Sequence, residues 1–170
     1  MAQSRRNSFV DRAVAALSQV KGAYSIVLMS ENELVAARDP QGFRPLCLGK
    51  LDGAYIVASE SCVMDLVEAE FIREIEPGEL ILINQFGVKS FYPFQKTSTK
   101  QCVFEHIYFS RPDSYLFGHA VYSVRMLMGR ALAIEKPVEA DVVVPVPDSG
   151  VISAMGYSEE AKIPFQMGLI

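Results

Sequence analysis

The sequence predicts an α+β sandwich of antiparallel sheets, followed by the start of an α/β unit with a parallel sheet. Residues 22–92 contain about seven short apolar runs separated by turns, a density that is typical of antiparallel strands. Residues 121–167 alternate between helical and strand patterns, which indicates a βαβ unit. The change from the strand-rich pattern to the mixed helix and strand pattern falls in residues 101–114, QCVFEHIYFSRPDS. This change predicts a boundary between two folding units there.

The composition excludes several classes of protein. Of the 170 residues, 50% are hydrophobic and 21% are charged, so the chain can bury a core. The net charge of -4 argues against a nucleic-acid-binding surface, and the basic pair Arg5-Arg6 is explained by a solvated chain end. No apolar segment approaches the roughly 20 residues that cross a bilayer, so no membrane association is expected.

The cysteine content indicates the cellular compartment. The three cysteines, Cys47, Cys62 and Cys102, are odd in number and widely spaced, which argues against a disulfide framework and favours a reducing compartment. The first residues are polar and contain no signal-peptide pattern. We expect a cytoplasmic protein, or a plastid protein if an N-terminal transit segment is missing.

The first part of the chain predicts one helix and a series of strands. Ser8 is a candidate N-cap, and apolar residues at helical spacing predict a helix over 8–20 that Lys21-Gly22 ends. Residues 62–67 predict one or two helical turns, and 71–75 an edge strand. The other predicted strands are 23–29, 33–37, 46–48, 54–58, 80–83 and 88–92.

The second part begins after a polar connector at 94–101. The apolar run 103–109 has β-rich composition and ends in the turn sequence Arg-Pro-Asp-Ser. Residues 121–134 and 151–162 predict helices. Residues 141–146 predict a buried strand, and a second strand begins at 164–167.

Six sequence elements, taken in order, point to a known family. They are GAYSIVLM (22–29), ARDPQGFRPLCLGK (37–50), ASES (58–61), PGEL (77–80), CVFEHIYFSRPDS (102–114) and VPVPDSG (144–150). The chain resembles the amidophosphoribosyltransferases, glutamine-dependent glycosyltransferases of purine synthesis, over essentially its whole length. IYFSRPDS is the most specific element, because other glutamine amidotransferases share versions of the GAYS, RDP and ASES elements.

The resemblance implies a two-domain arrangement. Residues 1–100 would be the C-terminal part of a glutaminase of the N-terminal-nucleophile type, an incomplete α+β sandwich. Residues 101–170 would hold the junction and the first βαβ part of an α/β phosphoribosyltransferase domain. The family reaction releases ammonia from glutamine and uses it to displace pyrophosphate from phosphoribosyl pyrophosphate. The resemblance also implies Mg2+, purine nucleotide inhibitors and a homo-oligomer.

The catalytic groups of the family have no counterpart in this sequence. The first step needs an N-terminal cysteine whose α-amino group is the base, whereas this chain begins Met1-Ala2 and its first cysteine is Cys47. No phosphoribosyl loop follows Gly150. We therefore assign no catalytic residue and expect an internal fragment that is inactive by itself.

Two candidate residues lie in the boundary segment. Cys102 is similar to a ligand of a [4Fe-4S] cluster in one branch of the family, which makes it the metal-site candidate. A buried structural thiol is the alternative. Tyr108 resembles a residue that lines the ammonia passage, and aromatic core filler is the alternative reading.

Further candidates lie in turns. Asp148 and Ser149 follow a predicted strand, where α/β sheets place ligand loops, so contact with phosphate or an inhibitory nucleotide is one reading and an N-cap the other. Arg111 and Asp113 are expected to cap their turn or to pair across it, with substrate contact as the alternative.

The group Arg38, Asp39 and Arg44 is expected to fix its turn by ion pairing, with a role near the glutamine pocket as the alternative. The histidines His106 and His119 have no partners at zinc-ligand spacing.

Two other functions fit some of the same features. One is a different glutamine amidotransferase that makes an amino sugar or asparagine, which the IYFSRPDS element argues against. The other is a non-catalytic regulatory or assembly module derived from a glutamine amidotransferase, and the sequence upstream of Met1 distinguishes it from an enzyme.

Overall fold

The structure is a computed structural model that describes residues 8–170, so the basic pair Arg5-Arg6 lies outside the described residues. The chain divides between Cys102 and Val103 into two compact units. No helix among the described residues has the length and apolar character that a membrane span needs.

The first unit begins with helix α1, Phe9–Leu17. The Ser8 hydroxyl accepts a hydrogen bond from the Asp11 amide (3.5 Å), as predicted for an N-cap. The helix is shorter than the predicted 8–20. The Ser18 hydroxyl donates to the Val14 carbonyl (2.7 Å), a local bond that competes with helix continuation.

Seven strands form two antiparallel sheets in the first unit, with strand orders β1-β2-β6-β7 and β4-β3-β5. The short helix α2, Cys62–Leu66, lies where helical turns were predicted. The edge position predicted for 71–75 is confirmed, because β5 lies at the end of its sheet. The strands are β1 (Ser25–Met29), β2 (Leu34–Arg38), β3 (Cys47–Leu51), β4 (Ala54–Ala58), β5 (Glu70–Glu74), β6 (Leu80–Asn84) and β7 (Gly87–Phe91).

Both faces of the four-stranded sheet are covered, which explains the nearly continuous apolar runs in its strands. Val35 and Leu80 pack with α1 in one buried cluster. Their neighbours Ala36 and Ile81 point to the other face and pack with Leu48 of the three-stranded sheet. The result is a helix, a sheet and a second sheet in layers, which confirms the predicted α+β sandwich of antiparallel sheets.

The second unit contains a π-helical turn, a short hairpin and two helices. The hairpin joins β8, Tyr115–Leu116, to β9, His119–Ala120, and was not predicted. Helix α3, Val121–Glu135, and helix α4, Val151–Ala161, confirm the two predicted helices.

Two predictions for the second unit are wrong. The run 103–109 was read as β-rich, but residues Glu105–Phe109 form a single π-helical turn. Residues 141–146 do not form a buried strand. Val143 makes one isolated parallel bridge to Phe165, and Val146 is 70% exposed. A buried strand needs neighbours that satisfy its backbone on both sides, and the described residues supply one bridge.

Candidate functional site

The π-helical turn places polar side chains inside and apolar side chains outside. The Ser110 amide bonds to the Glu105 carbonyl (3.1 Å), which closes the turn. Glu105, His106 and Ser110 are buried. The Ser110 hydroxyl donates to the Glu105 carboxylate over 2.8 Å. A charged side chain that is 2% exposed is therefore part of the turn's internal hydrogen bonding.

Arg125 of α3 joins the π-helical turn to that helix. Its guanidinium is 2% exposed. Nε donates to the His106 carbonyl (2.6 Å) and Nη2 donates to the Ser110 carbonyl (2.8 Å). These two carbonyls flank the three residues of the turn that face outward. The first amides of α3 are also held by the same loop, because Tyr122 N bonds to the Pro112 carbonyl (3.0 Å).

The outward side of the turn is aromatic. Ile107, Tyr108 and Phe109 are 42%, 64% and 50% exposed. The rings of Tyr108 and Phe109 meet edge to face with centroids 5.7 Å apart, and Phe104 lies 6.2 Å from Phe109. The reading of Tyr108 as core filler is therefore wrong. The structure describes no ligand path, so the ammonia-passage role stays a prediction.

His106 is surrounded by rings rather than by metal ligands. Phe117 and His119 lie 5.7 and 6.4 Å away between ring centroids. Burial lowers the pKa of His106, and a hydrogen bond to the Leu116 backbone opposes this only in part. Nε2 of His106 has no hydrogen-bond partner in the part of the chain that the structure describes. His106 is thus held neutral as a packed aromatic group.

The turn that follows contains the predicted Arg111–Asp113 pair. Arg111 donates to both Asp113 carboxylate oxygens, over 3.0 and 2.8 Å. The guanidinium lowers the pKa of Asp113. Both side chains are about half exposed, so the pair defines the turn and adds little stability.

Arg38 fixes its turn chiefly through main-chain carbonyls rather than through pairing within the turn. It donates to the carbonyls of Arg44 (2.8 Å), Gly42 (3.0 Å) and Ile75 (2.7 Å). Its ion-pair partner is Glu74 of β5, at 3.6 Å. Burial lowers the pKa of Arg38, and the carboxylate of Glu74 opposes that effect.

Asp39 satisfies three backbone amides of the same region. Its carboxylate accepts from the amides of Tyr24 (3.4 Å), Gln41 (2.9 Å) and Phe43 (3.0 Å). Arg38 and Asp39 are each 1% exposed. Their contacts support the structural role that the sequence favoured, with the main chain as the partner.

The cysteines differ in exposure. Cys47 and Cys62 are buried, whereas Cys102 is half-buried. Burial raises the pKa of the Cys47 thiol to about 12, so it resists ionisation. The Cys102 amide bonds to the Phe43 carbonyl (3.1 Å) and fixes the backbone there. Among residues 8–170, no three His, Cys, Asp or Glu side chains meet in a way that could hold a metal ion.

The loop before α4 carries the ligand-loop candidates. Asp148 is exposed and Ser149 is half-buried. The N-cap of α4 is Gly150, so the alternative reading of Asp148 or Ser149 as the cap is wrong. A neighbouring groove of about 590 Å³ has an apolar lining that includes Val142, Val144 and Ile163, and neither candidate lines it. A phosphate would therefore have to bind the exposed loop and not that groove.

Comparison with known proteins shows which proteins this chain resembles. A glutamine amidotransferase domain model matches residues 6–65. Amidophosphoribosyltransferase 1, chloroplastic, of Arabidopsis thaliana is 50% identical over 171 residues, which cover 100% of this chain and 30% of that protein. The amidophosphoribosyltransferase of Bacillus subtilis is 48% identical over 160 residues, 94% of this chain and 34% of that protein.

The chain is homologous to a part of amidophosphoribosyltransferase. A solved structure of glutamine phosphoribosylpyrophosphate amidotransferase from B. subtilis, complexed with ADP and GMP, superposes with a TM-score of 0.95 at 46% identity. The superposition covers 99% of this chain and 37% of that one. The resemblance and the predicted fold class are confirmed. The assignment of 1–100 and 101–170 to glutaminase and phosphoribosyltransferase domains stays a prediction.

Sequence reasoning missed two buried charged residues of this amidophosphoribosyltransferase homologue. Arg125 was not singled out, although it lies four residues after Val121 and four before Gly129, both buried. This spacing marks the inner face of α3 and could have identified it. Glu79 directly follows a Pro-Gly pair, and nothing in the neighbouring sequence indicates that its side chain has no exposed surface.

Proposed function

We propose that the complete protein containing this chain is an amidophosphoribosyltransferase. It would release ammonia from glutamine and transfer it to phosphoribosyl pyrophosphate, giving phosphoribosylamine, glutamate and pyrophosphate, in the first step of purine synthesis. The observation that carries the proposal is the match over 99% of the chain to an enzyme structure of that name. The chain spans only 30% of the Arabidopsis relative, so the proposal concerns the complete protein.

Tyr108 is proposed to line the ammonia passage of that protein. A passage must exclude water so that ammonia is neither protonated nor lost, and this favours aromatic and aliphatic walls. Tyr108 supports the proposal because it is 64% exposed and is flanked by the exposed apolar residues Ile107 and Phe109.

Asp148 and Ser149 are proposed to contact a phosphate group or an inhibitory purine nucleotide. Their support is an accessible loop that precedes α4, because the N-terminus of a helix generally favours anions. The B. subtilis structure was solved with ADP and GMP. Mg2+ is proposed for the complete protein, since this ion commonly binds through substrate phosphates, and the pyrophosphate group that leaves in this reaction would be such a ligand.

Cys102 is proposed as one ligand of a [4Fe-4S] cluster. Such a cluster takes four thiolates, and an accessible cysteine fits one of these positions. Cys102 is half-buried, whereas Cys47 and Cys62 are buried. The other ligands would come from residues outside this chain. When bound, the cluster would supply a rigid crosslink at this residue.

The experiment is an assay of the purified complete protein. Pyrophosphate release should be seen with glutamine and also with ammonia as the nitrogen donor, and glutamate should form only with glutamine. Iron and sulfide are measured on the same preparations, with Cys102→Ser as the control, and should be lost in that variant. Absence of both activities in folded protein would instead favour the non-catalytic module.

The relatives from Arabidopsis thaliana are named as chloroplastic. For this protein, we propose the cytoplasm or a plastid as the location. The homo-oligomer stays a prediction, because the structure describes one chain.

A further inference from the structure

The π-helical turn reverses the usual arrangement of a surface helix. Its polar residues Glu105 and His106 are 2% and 9% exposed, while Tyr108 is 64% exposed. Burying a charge is unfavourable and exposing an aromatic ring forgoes hydrophobic stabilisation. Contacts with buried residues must therefore hold this short turn in place. Its exposed aromatic face does not stabilise this unit and is available for another role.

Arg125 is the buried residue that bonds to the backbone at both ends of the exposed segment. Its two donors reach the carbonyls of His106 (2.6 Å) and Ser110 (2.8 Å). The three residues between those carbonyls are the exposed ones, including Tyr108. Because the guanidinium is planar and its donors are fixed, both carbonyls are held at a set separation.

We propose that Arg125 is a positioning residue that holds Tyr108 in place on the ammonia passage by clamping the backbone on either side of it. The inference rests on the proposed function. Arg125 is buried and would not touch ammonia or either substrate. Its effect would be confined to the transfer of ammonia between the reactions.

A lysine cannot replace the clamp. Its single ammonium can reach one carbonyl at a time, and methionine can reach neither. Arg130 provides a matched control on the same helix, because it is an exposed arginine that pairs with Glu159 at 2.8 Å. Arg130→Lys makes the same chemical change away from the π-helical turn.

The test is made in the complete protein and measures the ratio of glutamine-dependent to ammonia-dependent pyrophosphate release. Arg125→Met should lower this ratio about tenfold, since a misplaced group in a site commonly costs this much or more. Arg125→Lys should give an intermediate value, and Arg130→Lys no change. Glutamate should still form, so that it exceeds pyrophosphate in the clamp variants.

Further variants cover the case in which Arg125→Met does not fold. Ser110→Ala removes only the hydroxyl bond to Glu105 and should lower the ratio slightly. Adding Tyr108→Ala to Arg125→Lys should lower it no further than Tyr108→Ala alone, because both changes act on one residue.

Two results would overturn the clamp. One is an equal loss of both activities in Arg125→Lys, which is what a purely structural role gives. The other is an unchanged ratio in Arg125→Met, or in Arg125→Lys and Ser110→Ala if only these fold. A parent protein that shows neither activity overturns the proposed function itself, and the clamp with it.

Discussion

The side chain of Glu79 has no exposed surface, and four hydrogen-bond donors surround its carboxylate in place of water. Arg73 donates to both oxygens (2.6 and 2.8 Å), the Ser90 hydroxyl to one (2.6 Å) and the Glu76 amide to the other (2.7 Å). Arg73 lies in β5 and Ser90 in β7. The carboxylate therefore connects the two sheets of the first unit through fully used hydrogen-bond capacity.

The stability from Glu79 should depend on pH. Burial would raise its pKa, but the hydrogen bonds from Arg73, Ser90 and the Glu76 amide outweigh burial and leave it below the ordinary value. A carboxylate whose pKa is lowered on folding stabilises the fold above the unfolded pKa, about 4.3. That contribution is lost as the pH falls from there through the folded pKa.

We expect Glu79→Gln to lower the free energy of unfolding by about 2 kcal/mol at pH 7, the usual cost of losing charged hydrogen bonds. The difference from the parent should shrink as the pH falls below about 4.3, because the carboxyl of the unfolded parent takes up a proton there, and it should vanish only below the lowered pKa of the folded state. Chemical unfolding at several pH values measures both effects. The control is Asp113→Asn, whose exposed pair should change stability by less than about 0.5 kcal/mol. Equal losses in the two variants would contradict the role of Glu79.

At the residue scale, the sequence located charged groups but not their partners. The cluster of Arg38 and Asp39 was visible because both lie in a Pro-Gly turn. Their main-chain partners come from distant positions such as Ile75 and Tyr24. Partners so far apart in sequence follow from strand pairing, which local patterns do not specify.

At the scale of elements, helices α3 and α4 meet through glycine. A Cβ on Gly129 would overlap the Ser153 carbonyl, and one on Gly156 would overlap the Met126 carbonyl. Both glycines are buried. The two helix backbones are therefore closer than any side chain at these positions would allow.

We expect Gly156→Ala to destabilise the second unit by about 1 kcal/mol, and by up to about 2 kcal/mol. Alanine favours a helix by about 1 kcal/mol over glycine, but overlap with a neighbouring backbone typically costs about 1–3 kcal/mol and cannot be relieved by a rotamer change. Hydrogen exchange of the α3 and α4 amides measures the effect. Ser123→Ala, an alanine change on an exposed face of α3, should leave exchange nearly unchanged. Slower exchange in Gly156→Ala would contradict the close approach.

An element was predicted accurately where its structure is determined by residues close together in sequence. β1 to β7 and the helices α3 and α4 were predicted from period and turn residues, and their bounds lie within a few positions. The π-helical turn was mistaken for strand because Val103, Ile107 and Tyr108 have strand composition. Its geometry depends on the buried contacts of Arg125, which lies 19 residues from His106.

At the scale of the whole molecule, the fold class was predictable because strand density and helix spacing extend over many residues. The division into two units at Cys102 and Val103 falls in the segment where the sequence pattern changes. The layering of α1 on the four-stranded sheet was not predicted in detail. It requires knowing that alternate residues of β2, such as Val35 and Ala36, are buried on opposite faces.

The cysteine chemistry of the whole chain predicts that the purified 170-residue protein will not hydrolyse glutamine. A glutaminase nucleophile must ionise and be accessible. Cys47 is buried with its pKa raised to about 12, and Cys62 is buried. Cys102, the remaining cysteine, is half-buried and is proposed as a cluster ligand. Glutamate release is measured against the complete protein at equal concentration. Turnover by the 170-residue protein that is abolished by any single Cys→Ala change would show that a nucleophile is present after all.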